Sequence, residues 1–175
     1  MPVPQATLDY HTEQASHSAS LYLSSQTPES NAADWREAIF EGRQIIAHAL
    51  RSTAYFRSIS DPLQSASCFT VVLRSLMAPP ISQDQFKLVC RPWNKAREND
   101  NAALTEAVAD AVSEAFEARR DRQLTRWLDG NRNPTRREVR ELMRSVAPYI
   151  GLQRLGTARR NRLSRVQENS VVEFL

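Results

Sequence analysis

The sequence predicts an all-α protein, folded as a compact multi-helix domain of about six or seven helices. Only four glycines occur in 175 residues, whereas an all-β fold needs many tight turns. Hydrophobic residues make up 41% of the chain, and they recur at helical spacing along most of it. Two stretches also carry the pattern of a helix capping box. No stretch predicts a strand.

The chain divides by composition into an arm and a domain. Residues 1–30 are rich in Ser, Thr, Gln and Pro and have little periodicity, which predicts a flexible arm. Residues 31–175 carry the periodic apolar pattern, which predicts a single helical domain.

Two helices are predicted in the first half of the domain. One covers about Asp34–Arg51, and the other covers about Asp61–Met77, with Asp61 as a candidate N-cap and Pro62 in its first turn. The prolines of Ala78–Pro80 should end the second helix, because proline lacks the backbone donor.

Capping boxes mark two further helix starts. Ser82 with Gln85 begins a short helix, and Thr135 with Glu138 begins another. Between them, after a polar loop at Arg91–Asn101, the periodicity predicts a long helix over about Leu104–Leu128.

The end of the chain predicts one more helix and an apolar tail. Pro148 should kink or end the helix that begins near Thr135, and a last helix is predicted over about Leu152–Gln167. The tail that follows would either fold back on the core or enter a partner; its apolar residues are Val171, Val172, Phe174 and Leu175.

Positive charge is concentrated in residues 119–165. This segment holds 14 arginines and four acids, a balance of +10, although the whole chain carries only +3. Such asymmetry indicates a polyanion or an acidic protein as partner.

The arginines of this segment fall into distinct positions. The apolar stripe of the long helix places Arg119 and Arg120 toward the core, so each must reach solvent, pair with a carboxylate such as Asp129, or face a ligand. Arg136, Arg140 and Arg144 form a line at i, i+4 and i+8, where like charges repel unless a counter-charge arrives. The candidate nucleic-acid-binding residues are Arg119, Arg120, Arg126, Arg136, Arg137, Arg140, Arg144, Arg159, Arg160, Arg162 and Arg165.

Three interpretations of these arginines are open. Guanidinium groups match phosphate oxygens and guanine edges, which favours DNA or RNA. A solvated or internally paired face is the structural alternative, and an acidic protein partner is the third.

The sequence offers no complete catalytic site. It has no phosphate-cradling glycine loop and no HExxH. The acid-x-Lys pattern of metal-dependent nucleases is absent, because Gln85 stands two residues before Lys87 and Trp93 two residues before Lys95. We therefore expect no catalytic residue, metal ligand or cofactor in this chain. No signal peptide or membrane span is predicted, and the two cysteines suit reduced thiols, so a cytoplasmic location is expected.

Three stretches together resemble the XamI-type type II restriction endonucleases. The order and spacing of the motifs cover about residues 45–170, and one departure is Ala147-Pro148-Tyr149, where the family usually has Ala-Asp-Arg. The motifs are "LRSTAYFRSISDPL" (Leu50–Leu63) leading through "VVLRSLMAPPISQDQFKLV" (Val71–Val89), then "WLD" (Trp127–Asp129), then "PTRREV" (Pro134–Val139) with "SVAPYI" (Ser145–Ile150) and "RRNR" (Arg159–Arg162).

The resemblance implies double-stranded DNA as partner and a role in DNA restriction, a bacterial defence. In that family the region is helical and precedes the nuclease domain, which would hold the Mg²⁺ and the catalytic residues. We expect a DNA-binding helical protein that works with a separate or missing nuclease domain, possible partners being a nuclease or other subunit. The alternatives are a non-enzymatic interaction or assembly subunit that uses the basic face and the apolar tail, and a Mg²⁺-dependent site-specific deoxyribonuclease complete in this chain.

Overall fold

A computed structural model describes residues 5–24, 28–94, 98 and 100–172 of the chain. This part of the chain forms eight α-helices and no strand, which confirms the predicted all-α class. The helices are α1 (Gln5–Ser24), α2 (Pro28–Ser52), α3 (Ser60–Leu63), α4 (Thr70–Ser75), α5 (Gln83–Val89), α6 (Glu106–Arg119), α7 (Arg126–Asp129) and α8 (Arg136–Val172).

The chain forms two compact units, one being Ala38–Arg154 and the other the chain on either side of it. Helix α1 belongs to the second unit and occupies most of the segment for which the sequence predicts a flexible arm. Its described contacts are local, such as the bond from the Gln5 side chain to Asp9 at 2.9 Å. The division into an arm and one domain stays a prediction.

Unit Ala38–Arg154 has a hydrophobic core, and each of its helices contributes at least one large buried side chain to it. Aromatic rings pack there in two groups. Phe56 stacks on Trp127 and packs at a tilt against Phe116, and Phe86 meets Trp93 edge to face at 5.0 Å between ring centroids. The largest fully buried side chains are Trp93, Trp127, Phe69, Phe86, Phe116, Ile46, Leu63, Leu73, Leu76, Met77, Leu142 and Ile150.

Helix α5 begins at the predicted capping box. The Gln85 amide donates to the Ser82 hydroxyl at 3.2 Å, and the Ser82 amide donates to the Gln85 side chain at 2.9 Å. Two backbone donors that a helix start leaves free are thereby satisfied.

The predicted helix Asp61–Met77 is interrupted and forms the two short helices α3 and α4. Between them, the backbone amide of Cys68 donates to the side-chain oxygen of Asn101 at 2.8 Å. The interruption thus depends on a residue 33 positions away, which the local pattern does not show.

The predicted helix Leu104–Leu128 is two helices in the structure. Helix α6 ends at Arg119, and the last predicted residues belong to the separate one-turn helix α7. After Arg119 the chain pairs with the segment that follows α4. The Ala78 amide donates to the Arg119 carbonyl at 2.9 Å, and the Asp121 amide donates to the Leu76 carbonyl at 2.7 Å. These bonds replace the helical ones that continuation would have made.

Helix α8 continues through Pro148, so of the two outcomes predicted at this proline, a kink or an end, the end does not occur. The predicted helices on either side of it form one helix of 37 residues. The apolar tail is predicted to fold back on the core or to enter a partner. The side chains of Val171 and Val172, and all of Phe174 and Leu175, lie outside the described part of the chain.

The loop between α2 and α3 has an unusual backbone. Three successive non-glycine residues have positive φ, namely Ala54 at 48°, Tyr55 at 63° and Phe56 at 67°. Each such residue costs about 1 kcal/mol. Two bonds hold the conformation, from the Tyr55 amide to the Leu50 carbonyl at 2.7 Å and from the Phe56 amide to the Thr53 hydroxyl at 2.8 Å.

We expect Ala54→Gly to stabilise the protein by about 0.5 kcal/mol in urea denaturation. Glycine removes the steric cost of the positive φ, and its larger backbone entropy in the unfolded chain offsets part of that gain. Ala47→Gly, inside α2, is the control and should destabilise by about 1 kcal/mol. Equal losses for both substitutions would show that the loop is not strained at Ala54.

Candidate nucleic-acid interface

The arginine-rich segment, residues 119–165, runs from the end of α6 through helix α7 and the turn that follows it and covers most of α8. Its arginines form two groups in the structure. One group pairs with carboxylates, and the other has exposed guanidinium groups that make no bond to any residue the structure describes.

Arg120 belongs to the paired group and is buried, with 6% of the residue exposed. Its guanidinium donates to Glu117 at 3.0 Å, to the Thr125 hydroxyl at 3.0 Å, and to Asp129. The bond from Arg120 holds the pKa of Asp129 below its ordinary value. Of the three predicted options for this side chain, the structure shows pairing with a carboxylate.

Glu138 is the centre of a second network, at the start of α8. Arg132 donates to both of its oxygens, at 2.8 and 2.5 Å, and the Thr135 amide donates to it at 2.7 Å. The Glu138 amide in turn donates to the Thr135 hydroxyl at 3.2 Å, which is the predicted capping box. The Arg132 bonds, followed by the Thr135 amide, hold the pKa of Glu138 far below its ordinary value of 4.5.

Arg126 connects α7 to α8. Its guanidinium donates to Glu141 at 2.8 Å and lies 3.6 Å from an oxygen of Glu138. Because the side chain of Arg126 is half exposed, it also presents donors to solvent.

The pKa of Glu138 predicts how this network responds to pH. A carboxylate whose pKa is lowered on folding stabilises the fold above its unfolded pKa, and the contribution is lost as the pH falls toward the folded pKa. We expect wild type to be more stable than Glu138→Gln at pH 7, with the difference in Tm shrinking steadily below about pH 4.5. A difference that is constant from pH 7 to pH 3 would contradict this role.

Four arginines near the start of α8 form the unpaired group. Arg136, Arg137, Arg140 and Arg144 are exposed, and none makes an ion pair or hydrogen bond with the described residues. We call these four residues the α8 arginine surface. They occupy about 12 Å of helix axis, and the opposite face of α8 is buried.

The remaining candidate residues lie elsewhere. Arg119 is exposed at the end of α6, and Arg160 and Arg165 are exposed in the second unit. The side chains of Arg159 and Arg162 are outside the described part of the chain.

No group of three or more His, Cys, Asp or Glu side chains in the described ranges is placed to hold a metal ion. The acids nearest the arginine surface are engaged by Arg120, Arg126 and Arg132 instead.

Two residues beside the arginine surface were not singled out from the sequence. Arg57 donates to the side-chain oxygen of Asn133 at 2.6 Å, which joins the loop after α2 to the turn before α8. The two residues are 76 positions apart, so no local motif connects them.

The fold and this site define an all-α protein with a basic surface on one long helix. Comparison with protein families then shows which kind it is: the model of the XamI restriction endonuclease family matches residues 54–175, so the chain belongs to that family. No curated protein and no solved structure matches the chain.

The family match confirms the resemblance predicted from the sequence motifs and supports a function in DNA restriction. DNA is the substrate that such a family implies. None of the described helices is apolar over enough of its length to cross a membrane.

Proposed function

We propose that this chain is a helical DNA-binding part of a restriction endonuclease system, and that it binds the backbone of duplex DNA through the α8 arginine surface. The observation that carries the proposal is the contrast between neighbouring arginines. Arg120, Arg126 and Arg132 are engaged by carboxylates, whereas the four arginines of the α8 surface have no partner within the described residues.

An unpaired line of like charges is unfavourable in the free protein. Arg136, Arg140 and Arg144 lie about 6 Å apart along the helix, where each pair of like charges costs a few tenths of a kcal/mol. A phosphate backbone removes this repulsion and accepts hydrogen bonds from each guanidinium, which supports DNA as the ligand.

The carboxylate networks hold the start of α8, where the α8 arginine surface begins. Glu138 is bound by Arg132 and capped by Thr135, so the first turn of α8 is fixed where the surface begins. Glu141 lies between the free arginines on the exposed face, and its pairing with Arg126 reduces its repulsion toward an anion.

The other predicted arginines differ in exposure and pairing, and we assign them different roles. Arg119 is exposed at the end of α6 and its side chain makes no bond to a described residue, so we include it as an additional phosphate contact. Arg120 is buried and pairs with Asp129, so we assign it a supporting role, while the half-exposed guanidinium of Arg126 contributes the donors it presents to solvent. Phosphate contacts by Arg159, Arg160, Arg162 and Arg165 stay a prediction.

We place the nuclease centre, with its Mg²⁺, on another domain or chain, as the resemblance to the family implies. The second candidate function, an interaction subunit that uses the apolar tail, is favoured by no contact of the described residues.

A salt titration tests the proposal. Fluorescence anisotropy with a labelled duplex of mixed sequence, at several salt concentrations, should give log K falling linearly with log salt, with a slope of about −0.9 for each phosphate contact. A slope of zero would contradict DNA binding. With Mg²⁺ present we expect the duplex to stay intact on a gel, and cleavage by the purified chain would overturn our placement of the nuclease centre.

A further inference from the structure

Arg57 and Asn133 form a fixed pair of polar side chains beside the α8 arginine surface. The Arg57 guanidinium uses Nε to donate to the Ala54 carbonyl at 3.1 Å and Nη2 to donate to the Asn133 side-chain oxygen at 2.6 Å. Both residues are exposed. Asn133 is three residues before Arg136, so the pair adjoins the start of the arginine surface.

Both sides of this pair are anchored to the core. On the loop side, the Trp127 indole donates to the Tyr55 carbonyl at 3.0 Å, and Phe56 is buried against Trp127. On the turn side, Arg132 donates to the Asn133 carbonyl at 3.0 Å and also binds Glu138. The pair is therefore held in one place before any ligand arrives.

The loop that presents Arg57 has three successive residues at positive φ, which is costly for residues other than glycine. Such a backbone persists only where surrounding contacts determine it, and it directs the next side chain in a way that an ordinary helix end would not. Here it brings Arg57 to Asn133, across 76 positions of sequence.

We propose that Arg57 and Asn133 are the specificity-determining residues of the DNA site, which contact base edges while the α8 arginine surface contacts phosphates. This inference rests on the proposed function. Within the described residues, Arg57 Nη1 and Asn133 Nδ2 make no hydrogen bond, so both present donors to a ligand. Arginine pairs with the acceptors of guanine, and asparagine pairs with adenine.

The contrast with the α8 arginines gives the roles. Phosphate contacts fix position and carry no sequence information, so exposed arginines that are not held in one geometry can make them. Base contacts need donors in a fixed relative geometry, which the mutual bond of Arg57 and Asn133 provides. A guanidinium and an amide side by side suit two adjacent base pairs.

Selection from a pool of randomised duplexes tests the proposal. Wild type should enrich a short motif, and Arg57→Ala and Asn133→Ala should each lose preference at part of it. The ratio of Kd for a scrambled duplex to Kd for the selected duplex should fall about tenfold or more in each variant. For Asn133→Ala, the salt slope on the scrambled duplex should stay as in wild type, because asparagine carries no charge.

Two controls distinguish a loss of base contacts from a loss of stability and from a change in net charge. Asn133→Ala leaves the bond between Arg57 and Ala54 in place, so its Tm should remain near that of wild type. Arg91→Ala removes one exposed arginine outside the proposed surface and should leave the Kd ratio unchanged.

The possible results bear separately on the assignment of Arg57 and Asn133, on base contacts in this chain, and on DNA binding. Full retention of motif preference by both variants would overturn the assignment of Arg57 and Asn133. Salt-sensitive binding by wild type without any enriched motif would overturn base contacts in this chain but leave the proposed function intact. Absence of salt-sensitive binding would overturn the proposed function itself, and with it the assignment of Arg57 and Asn133 to base contacts.

Discussion

Replacing Arg136, Arg140 and Arg144 together by alanine is expected to reduce the salt slope of DNA binding by up to about 2.7, which is about 0.9 for each of three lost phosphate contacts. The reason is that each guanidinium makes no bond to the described residues and, on the proposed function, releases counterions from DNA when it binds a phosphate. Titration of wild type and the triple variant with the same duplex, from low to moderate salt, measures both slopes.

Stability should move the other way in this triple variant. The three side chains make no bond to the described residues, their mutual repulsion is removed, and alanine favours helix. We therefore expect an unchanged or slightly raised Tm together with weaker binding. A lower Tm with weaker binding would indicate that α8 had been damaged rather than its surface.

A second triple variant supplies the charge control. Arg43, Arg51 and Arg91 are exposed and outside the α8 surface, and replacing all three by alanine changes the net charge by the same amount. We expect a much smaller change in salt slope. An equal change would mean that net charge, and not this helix face, determines binding.

The parts of the fold that could be predicted are those whose determinants lie close together in sequence. Ser82 with Gln85 and Thr135 with Glu138 are three residues apart, and both form the expected reciprocal bonds. The apolar periodicity gave the all-α class for the same reason, since helical contacts are local.

The interruptions of the predicted helices depend on distant partners. Asn101 binds the amide of Cys68, and Leu76 accepts from Asp121 where α6 has ended. In each case a non-local hydrogen bond replaces a helical one, and propensity alone cannot indicate that exchange. Pro148 is the opposite case, because the helix continues through a residue that usually ends one.

The site was predictable in composition but not in arrangement. The sequence shows how many arginines the segment holds, whereas pairing depends on the turns that bring Arg120 to Asp129 and Arg126 to Glu141. Only the structure separates these residues from the free arginines of α8. Likewise, Arg57 and Asn133 become neighbours only through tertiary folding.

The second large effect is expected at Gly42, where α2 packs against α8 within unit Ala38–Arg154. A Cβ atom at this position would lie 2.8 Å from the carbonyl oxygen of Ala147, closer than side-chain carbons approach backbone oxygens. Neither atom can rotate away, because the position of a Cβ is fixed by its own helix backbone and the carbonyl oxygen belongs to the backbone of the other helix. We expect Gly42→Ala to destabilise the protein by about 1–3 kcal/mol, even though alanine favours helix over glycine by about 1 kcal/mol.

The same substitution at Gly156 should have the opposite sign. Gly156 also lies inside a helix, but an added Cβ would meet only the flexible end of Arg160, at 4.0 Å. Gly156→Ala therefore keeps the propensity gain and should stabilise by up to about 1 kcal/mol. Urea denaturation of both variants compares the two cases directly. If Gly42→Ala were as stabilising as Gly156→Ala, the close approach of α2 and α8 would be contradicted, since the cost at Gly42 comes from that contact alone.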